Sequence, residues 1–258
     1  MLQVQNVSKV YGGFDREYTA LEKIDLSIRE GEFLCLLGPS GCGKSTLLNI
    51  LAGFERPSSG RVLLNGVEIS GPGHDRVMFF QDAGSALFPW LDCEENVEFG
   101  LRLKGVAKAQ RREVAARYLE TVGLSQHRNK FPSELSGGMR QRLQIARALA
   151  IEPAMFLMDE PFAALDALTR RNMHRVLVEI WMATRKTIIF VTHDISEAIT
   201  MADRIVIMTQ GPRSRLRDPI VIELSRPRTP AQAGLGALYN RIESIIGEEQ
   251  DRAGEAAS

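Results

Sequence analysis

The stretch GPSGCGKST, residues 38–46, decides how this chain is read. It follows the apolar run EFLCLLG and leads into TLLNILAG, whose apolar residues recur at helix spacing, so the order strand, tight loop, helix is predicted. Gly38, Gly43, Lys44 and Ser45 match the pattern G-x-x-x-x-G-K-[ST]. Glycines at such places let successive backbone N–H groups wrap a chain of phosphates, and the helix N-terminus adds its partial positive charge. Gly38, Pro39, Ser40, Gly41, Cys42, Gly43, Lys44, Ser45 and Thr46 are therefore candidates for holding a nucleoside phosphate. In that arrangement Lys44 reaches the β and γ phosphates and the Ser45 hydroxyl faces Mg²⁺. Cys42 falls at a variable position, where a small residue is used and no thiol chemistry is required.

A metal-bound phosphate also calls for a carboxylate at the end of a neighbouring strand. The run AMFLMDEP, residues 154–161, supplies Asp159 for Mg²⁺ and, one residue on, Glu160 as a general base toward water. Mg²⁺ keeps much of its hydration, so few protein ligands suffice. His193 ends the apolar run in KTIIFVTHD, and Gln81 follows RVMFF. Alone, each reads as readily as an ordinary polar residue at a strand end. A second glycine motif, ELSGGMRQR at 134–142, sets Ser136, Gly137 and Gly138 ahead of a helical run, which is again how a phosphate site is built.

The remaining sequence frames these motifs. At 258 residues and 44% hydrophobic, the chain can bury a substantial core. Lys plus Arg equals Asp plus Glu at 32 each, so no net field draws it to nucleic acid or to an anionic membrane. Cys35, Cys42 and Cys93 form no metal-type cluster, and an odd count suits a reducing compartment. No apolar run approaches the about 18 residues of a membrane span, and MLQVQNVSK lacks the order of a signal peptide, so a cytoplasmic location is expected. Asn65-Gly66 between the apolar runs of RVLLNGVEI predicts a hairpin near the N-terminus. By contrast EFLCLLG, MFLMDEP, KTIIFVTHD and RIVIMTQGP are short continuous apolar runs separated by helix-length segments, as in a buried parallel sheet. Between 104 and 150 the period turns helical, with Val114, Tyr118, Leu119 and Val122 on one face. The expected fold class is α/β, a P-loop NTPase core with an N-terminal antiparallel β element and an inserted α-helical lobe at about 84–150. Residues 1–228 are expected as the nucleotide-binding domain, and 229–258 as a C-terminal helix, carried by Leu235, Leu238, Ile242 and Ile246, with a polar tail.

In chain order, Gly38 to Thr46, Gln81, LSGGM at 135–139, FLMDEP at 156–161, AALD at 163–166 and VTHD around His193 resemble the nucleotide-binding subunit of ABC transporters. GPGHDRVMFFQ, LFPWLDCEENVEFGL and DEPFAALDALTR are similar to the importer branch that serves nitrate, taurine and alkanesulfonates. The resemblance implies an ATPase that energises import of a small solute through a separate transmembrane permease, at the cytoplasmic face of the cell membrane. An exporter, a lipid-transport complex, or a soluble relative acting on ribosomes or DNA are the alternatives; the last usually carries two nucleotide domains or a long coiled coil. In this family two such subunits close head to tail, and each ATP lies between the P-loop of one and the LSGG segment of the other. By resemblance Ser136, Gly137 and Gly138 then hold the γ-phosphate of the partner's ATP, and a homodimer has two competent sites. Tyr11 stacks on adenine, His193 holds the γ-phosphate and water near Glu160, and Asp166 bridges to the other subunit. Gln81 joins Mg²⁺ to the helical lobe, so the implied metal set is Ser45, Gln81 and Asp159. A solute-binding protein is an indirect partner, and nucleic acid is not one. Met139 stands where the signature usually has Gln, and Ala163 where many relatives have Ser.

The stretch ALFPWL, residues 86–91, clusters Leu87, Phe88, Trp90 and Leu91 around a proline in an expected loop. Such side chains either cap the core of the lobe or line a groove for a short helix of the permease, with Leu87, Phe88 and Trp90 as the docking residues.

Overall fold

The computed structural model describes all of the chain but residues 14, 15, 80–85, 230, 231 and 258, and the backbone alone at 13, 16 and 250–257. In chain order its elements begin with β1 (Leu2–Gly13), β2 (Arg16–Ile28), β3 (Phe33–Leu37), α1 (Lys44–Ala52), β4 (Ser59–Leu64), β5 (Val67–Glu68) and β6 (Arg76–Phe79). There follow α2 (Cys93–Leu103), α3 (Lys108–Thr121), α4 (Gly137–Ala150), β7 (Met155–Asp159) and α5 (Ala167–Thr184). Last come β8 (Thr187–Thr192), α6 (Ile195–Met201), β9 (Arg204–Ile207), β10 (Ile220–Val221) and α7 (Leu235–Ala257). The chain divides into two compact units, the first formed by Met1–Gly73, Leu157–Asp159 and Arg185–Ser258, the second by His74–Phe156 and Glu160–Thr184.

In the first unit an antiparallel sheet runs in the order β2-β1-β4-β5. Its hairpin turns at Asn65 and Gly66, with φ of 51° and 82°, the positive pair that a two-residue turn between twisted strands requires. A second sheet is built on β3, which pairs in parallel with β8 on one side and β9 on the other. Every residue of β3 and of β8 is buried, which is why both read as unbroken apolar runs. Phe33 and Phe190 meet in this core with ring centroids 6.1 Å apart. Leu37 is in register with Thr192, so the loops that leave these two strands emerge at the same edge of the sheet. Beneath the other end of β3, the buried carboxylate of Glu32 accepts from Arg204 Nε at 2.6 Å.

The second unit is mostly helical. Asp92 caps α2, its Oδ1 accepting from the Glu95 amide at 2.8 Å while Glu95 Oε2 accepts from the Asp92 amide at 3.1 Å. On α3, Ala115, Tyr118 and Leu119 are buried at helix spacing, and Arg111 pairs with Glu98 of α2 at 3.2 Å. β6 lies next to β7 in sheet order, and Phe79 meets Phe156 edge to face with centroids 5.6 Å apart.

Candidate functional site

The glycine loop connects β3 to α1 in the first unit. Gly43, the residue before α1, has φ of 97°, and a Cβ there would come within 2.8 Å of a Leu21 methyl. Glycine is thus required both by the backbone and by the strand packed behind it. Lys44 is buried at 6% exposure, its Nζ donating to the carbonyl oxygens of Gly38 at 2.7 Å and Pro39 at 2.8 Å. The loop therefore closes round its own ammonium group, with oxygen acceptors where phosphate oxygens can take their place. Cys42 is buried 3.8 Å from that Nζ, and burial pushes its thiol up while the lysine charge works the other way. Ser45 is exposed, and Pro39, Ser40 and Gly41 lie at or near the surface.

Tyr11 sits on β1, 39% exposed, with its Oη donating to Glu55 Oε2 at 2.8 Å and lying 3.4 Å from Thr46 Oγ1. Lys9 Nζ lies 5.0 Å from the ring centroid and pairs with Glu55 at 3.1 Å. Partial burial is the largest cause holding the phenol above its ordinary range. The hydroxyl anchors one edge of an aromatic ring beside the first turn of α1, leaving a face for stacking.

Asp159 is the last residue of β7, half-buried, and Glu160 follows it at the start of the second unit's next segment. Glu160 has φ of 44°, a left-handed backbone that residues other than glycine seldom adopt, and such strain gathers at functional positions. His193 is exposed directly after β8. The turn that carries it is stapled twice: Thr192 Oγ1 donates to Glu197 at 2.6 Å and accepts from the Asp194 amide at 3.0 Å. Asp194 in turn caps α6, accepting from the Ser196 and Glu197 amides. The structure thus brings the P-loop and His193 to one edge of the first unit's sheet. Gln81 lies outside the described residues. Among the described residues no three His, Cys, Asp or Glu side chains gather as a metal cage. An exposed hydroxyl at Ser45 and a half-buried carboxylate at Asp159 suit an ion that keeps its water, as Mg²⁺ does.

In the second unit Ser136 caps α4, its Oγ accepting from the Met139 amide at 3.3 Å. A Cβ on Gly138 would stand 3.1 Å from the Thr169 methyl, so this glycine lets α4 approach α5 closely. Two residues that the motif reading passed over hold the surrounding loops. Gln141, buried on α4, donates to the Pro161 carbonyl at 2.5 Å. Arg170 donates to the carbonyls of Phe162, Ala163 and Leu165, gathering the AALD turn, while Asp166 caps α5 through the Leu168 and Thr169 amides. The Thr169 hydroxyl, and then those amide bonds, hold the Asp166 carboxyl below the ordinary range.

The ALFPWL stretch divides its apolar residues. Leu87 and Leu91 are core residues at 3% and 9% exposure, whereas Trp90 is 69% exposed. Phe88 is half-buried, its ring 4.2 Å from Phe99 and 5.5 Å from Trp90, with the Arg147 guanidinium 4.2 Å above it. Leu87 is therefore buried away from any docking partner. The fully buried Asn96 organises the loop: its amide donates to the carbonyls of Phe88, Leu91 and Asp92, and its oxygen accepts from the Phe88 amide at 3.0 Å.

Comparison with known proteins bears on this geometry. The family profile described as ABC transporter matches residues 21–163. The bicarbonate transport ATP-binding protein CmpD of Synechocystis sp. is 46% identical over 88% of this chain and 80% of its own. The nitrate import ATP-binding protein NrtD of Synechococcus elongatus is 44% identical over 82% of this chain and 77% of its own. Among solved structures, an ATP-binding cassette captured as a dimer after hydrolysis, bound to ADP and Pi, superposes with a TM-score of 0.72 at 33% identity, covering 87% of this chain and all of the other.

Proposed function

The chain belongs to the ABC transporter family, and from that premise we propose that it energises import of a small oxyanion, of the bicarbonate or nitrate class, through a separate membrane permease. It is an ATP-hydrolysing subunit. One observation carries the nucleotide reading: Lys44 is held inside the glycine loop by carbonyl oxygens alone of its strong contacts, a cradle that a phosphate chain completes. The solute class rests on the similarity to CmpD and NrtD.

In this reading the amides of residues 38–46 wrap the phosphates, Lys44 neutralises charge on the β and γ groups, and Tyr11 takes the adenine. Ser45, Asp159 and Gln81 would hold Mg²⁺, which when bound would supply charge stabilisation for the phosphates. Glu160 removes the proton from the attacking water, and His193 orients that water and the γ-phosphate. The Ser136 hydroxyl and the Gly137 and Gly138 amides donate to the γ-phosphate of a second copy's ATP, so that closure needs nucleotide and hydrolysis releases it. Trp90, with Phe88 behind it, receives the permease. No helix among the described residues is long and apolar enough to cross a membrane. In this reading the permease holds the chain at the cytoplasmic face.

The test is to reconstitute the chain with its native permease and solute-binding protein and to measure ATPase stimulation by bicarbonate, nitrate, taurine and alkanesulfonates. Stimulation by bicarbonate or nitrate supports the assignment; stimulation by a sulfonate alone moves the solute class; indifference to every anion overturns it.

A further inference from the structure

His193 stands just ahead of α6, a helix of seven residues. A helix that short is marginal on its own, so its position depends on what holds its two ends. At the first end Asp194 caps the amides, and Thr192 donates to Glu197 to tie the turn back to β8. The second end needs partners as well, because the last carbonyls of a helix have no amide ahead of them to bond. They come from the segment that leads into α7. Arg228 Nη1 donates to the carbonyls of Ile199 at 2.8 Å and Ala202 at 2.6 Å, and Arg226 Nη2 donates to the Met201 carbonyl at 2.5 Å.

Arg228 is built in far more firmly than a surface cap. Buried at 7% exposure, its guanidinium also donates from Nε to the Leu224 carbonyl at 3.0 Å and reaches the Ile222 carbonyl from Nη2 at 3.5 Å. Backbone oxygens of two segments, 199–202 and 222–224, thus converge on one planar fork. Burial, and after it the Arg226 charge, pushes this guanidinium down to about 10, which leaves it a cation at neutral pH. That charge faces the negative end of the α6 dipole. Arg226 completes the clamp through Asp203, whose Oδ1 accepts from Arg226 Nη1 at 2.5 Å while its Oδ2 accepts from the Phe33 amide at 3.0 Å. Phe33 opens β3, so the clamp ties α6 to the strand that leads into the P-loop. α7 packs along α6 as well, with Ile242 fully buried.

We propose that Arg228 is a positioning residue for His193, fixing the C-terminal end of α6 and thereby the turn at its other end, where the imidazole meets the γ-phosphate. The inference rests on the role given to His193 above. Slack at Ile199–Ala202 would swing the far end of a helix about 10 Å long. Misplacing a reacting or orienting group by about 1 Å can cost about a hundredfold in rate. ADP has no γ-phosphate for His193 to hold, so the effect falls on turnover and spares ADP binding.

His193 is the one histidine of the first unit, since His74, His127 and His174 fall in the second. Its imidazole can therefore be followed by NMR in the full chain, with His193→Ala to assign the signal. Arg228→Gln should move that signal and leave the other three in place. ADP affinity should stay within about twofold, while kcat for ATP falls about tenfold or more and KM changes little. In the His193→Ala background, read by single-turnover phosphate release, adding Arg228→Gln should change the rate by less than about twofold. A residue that acts through the imidazole then has nothing left to act on. Arg241→Gln, which removes an exposed cation from α7, should alter none of these. If Arg228→Gln also loses ADP binding, the variant is misfolded, and Arg228→Lys takes its place. Lysine keeps the buried charge without the fork, and a loss of roughly threefold or more in kcat is then expected. An unmoved His193 signal, or equal losses of rate with and without His193, overturns the proposal. Wild-type turnover in His193→Ala alone overturns the role of His193 itself, and the proposal falls with it.

Discussion

The two glycine motifs, GPSGCGKST and LSGGM, look alike in sequence and use glycine for different ends. At Gly43 the residue supplies a left-handed backbone turn before α1 and leaves room for Leu21. At Gly138 the backbone is ordinary helix, and the missing side chain lets α4 lie against Thr169 of α5. The first loop encloses a buried lysine; the second presents a serine cap, with the Arg140 guanidinium turned back onto the Leu135 carbonyl at 2.7 Å. A motif that holds its own ligand carries its counter-charge inside. On the proposed reading, one that completes a site supplied by another molecule needs no lysine enclosed in its loop, because that charge would arrive with the ligand's other half.

The largest effect that bears on this contrast comes from a residue in neither loop. Glu160→Gln should leave nucleotide affinity intact and lower turnover by about 10²–10⁴-fold, measured as phosphate release at saturating ATP. Wild-type turnover would remove Glu160 from the role of base and leave both loops as mere grips. Next, Lys44→Ala should weaken ATP binding to the monomer by roughly tenfold to a hundredfold, the loss of a charge-assisted contact. Ser136→Arg should leave that binding unchanged and abolish ATP-dependent dimerisation, read by light scattering. Equal losses of monomer binding from both variants would erase the distinction drawn here.

Two smaller effects sharpen what the second unit is for. Trp90→Ser should change stability by no more than about 0.5 kcal/mol, given its exposure, and weaken assembly with the permease by about 2 kcal/mol in a co-purification titration. Phe88→Ser is the wrong companion, since that ring packs on Phe99 and under Arg147 and its loss disturbs the fold. Smallest of all, Gly138→Ala should cost about 1 kcal/mol in a urea titration, because the Thr169 methyl must give way by a few tenths of an ångström. An unchanged midpoint would mean that close packing is not why glycine stands there.

Much of this architecture was legible because it depends on short-range chemistry. Asn65-Gly66 names its turn by the backbone angles it tolerates, and β3, β8 and β9 betray their double-sided burial by unbroken apolar runs. Gln141 and Arg170 left no such trace. Each serves backbone carbonyls of a loop up to twenty positions away, and a carbonyl acceptor is the same at every residue. The ALFPWL stretch shows the other limit. Nothing local separates Leu87 from Trp90; the difference arises from which side of the loop Asn96 turns toward the core. Gln81 stands as an expectation from sequence alone.

Asn96 has a thermodynamic consequence as well. Ordering a flexible backbone costs about 1–2 kcal/mol per residue, and a surface loop that folded only on contact would subtract that from every association. Here four hydrogen bonds to one buried amide order the backbone around Phe88–Asp92 before any partner arrives. On the proposed reading, a permease that docks at Trp90 would spend its interaction energy on affinity and on transmitted force, with little drained into arranging the receptor. Substituting Asn96, which has no nucleotide contact in the proposed reading, would loosen that economy, leaving a subunit that hydrolyses ATP yet couples it poorly to movement.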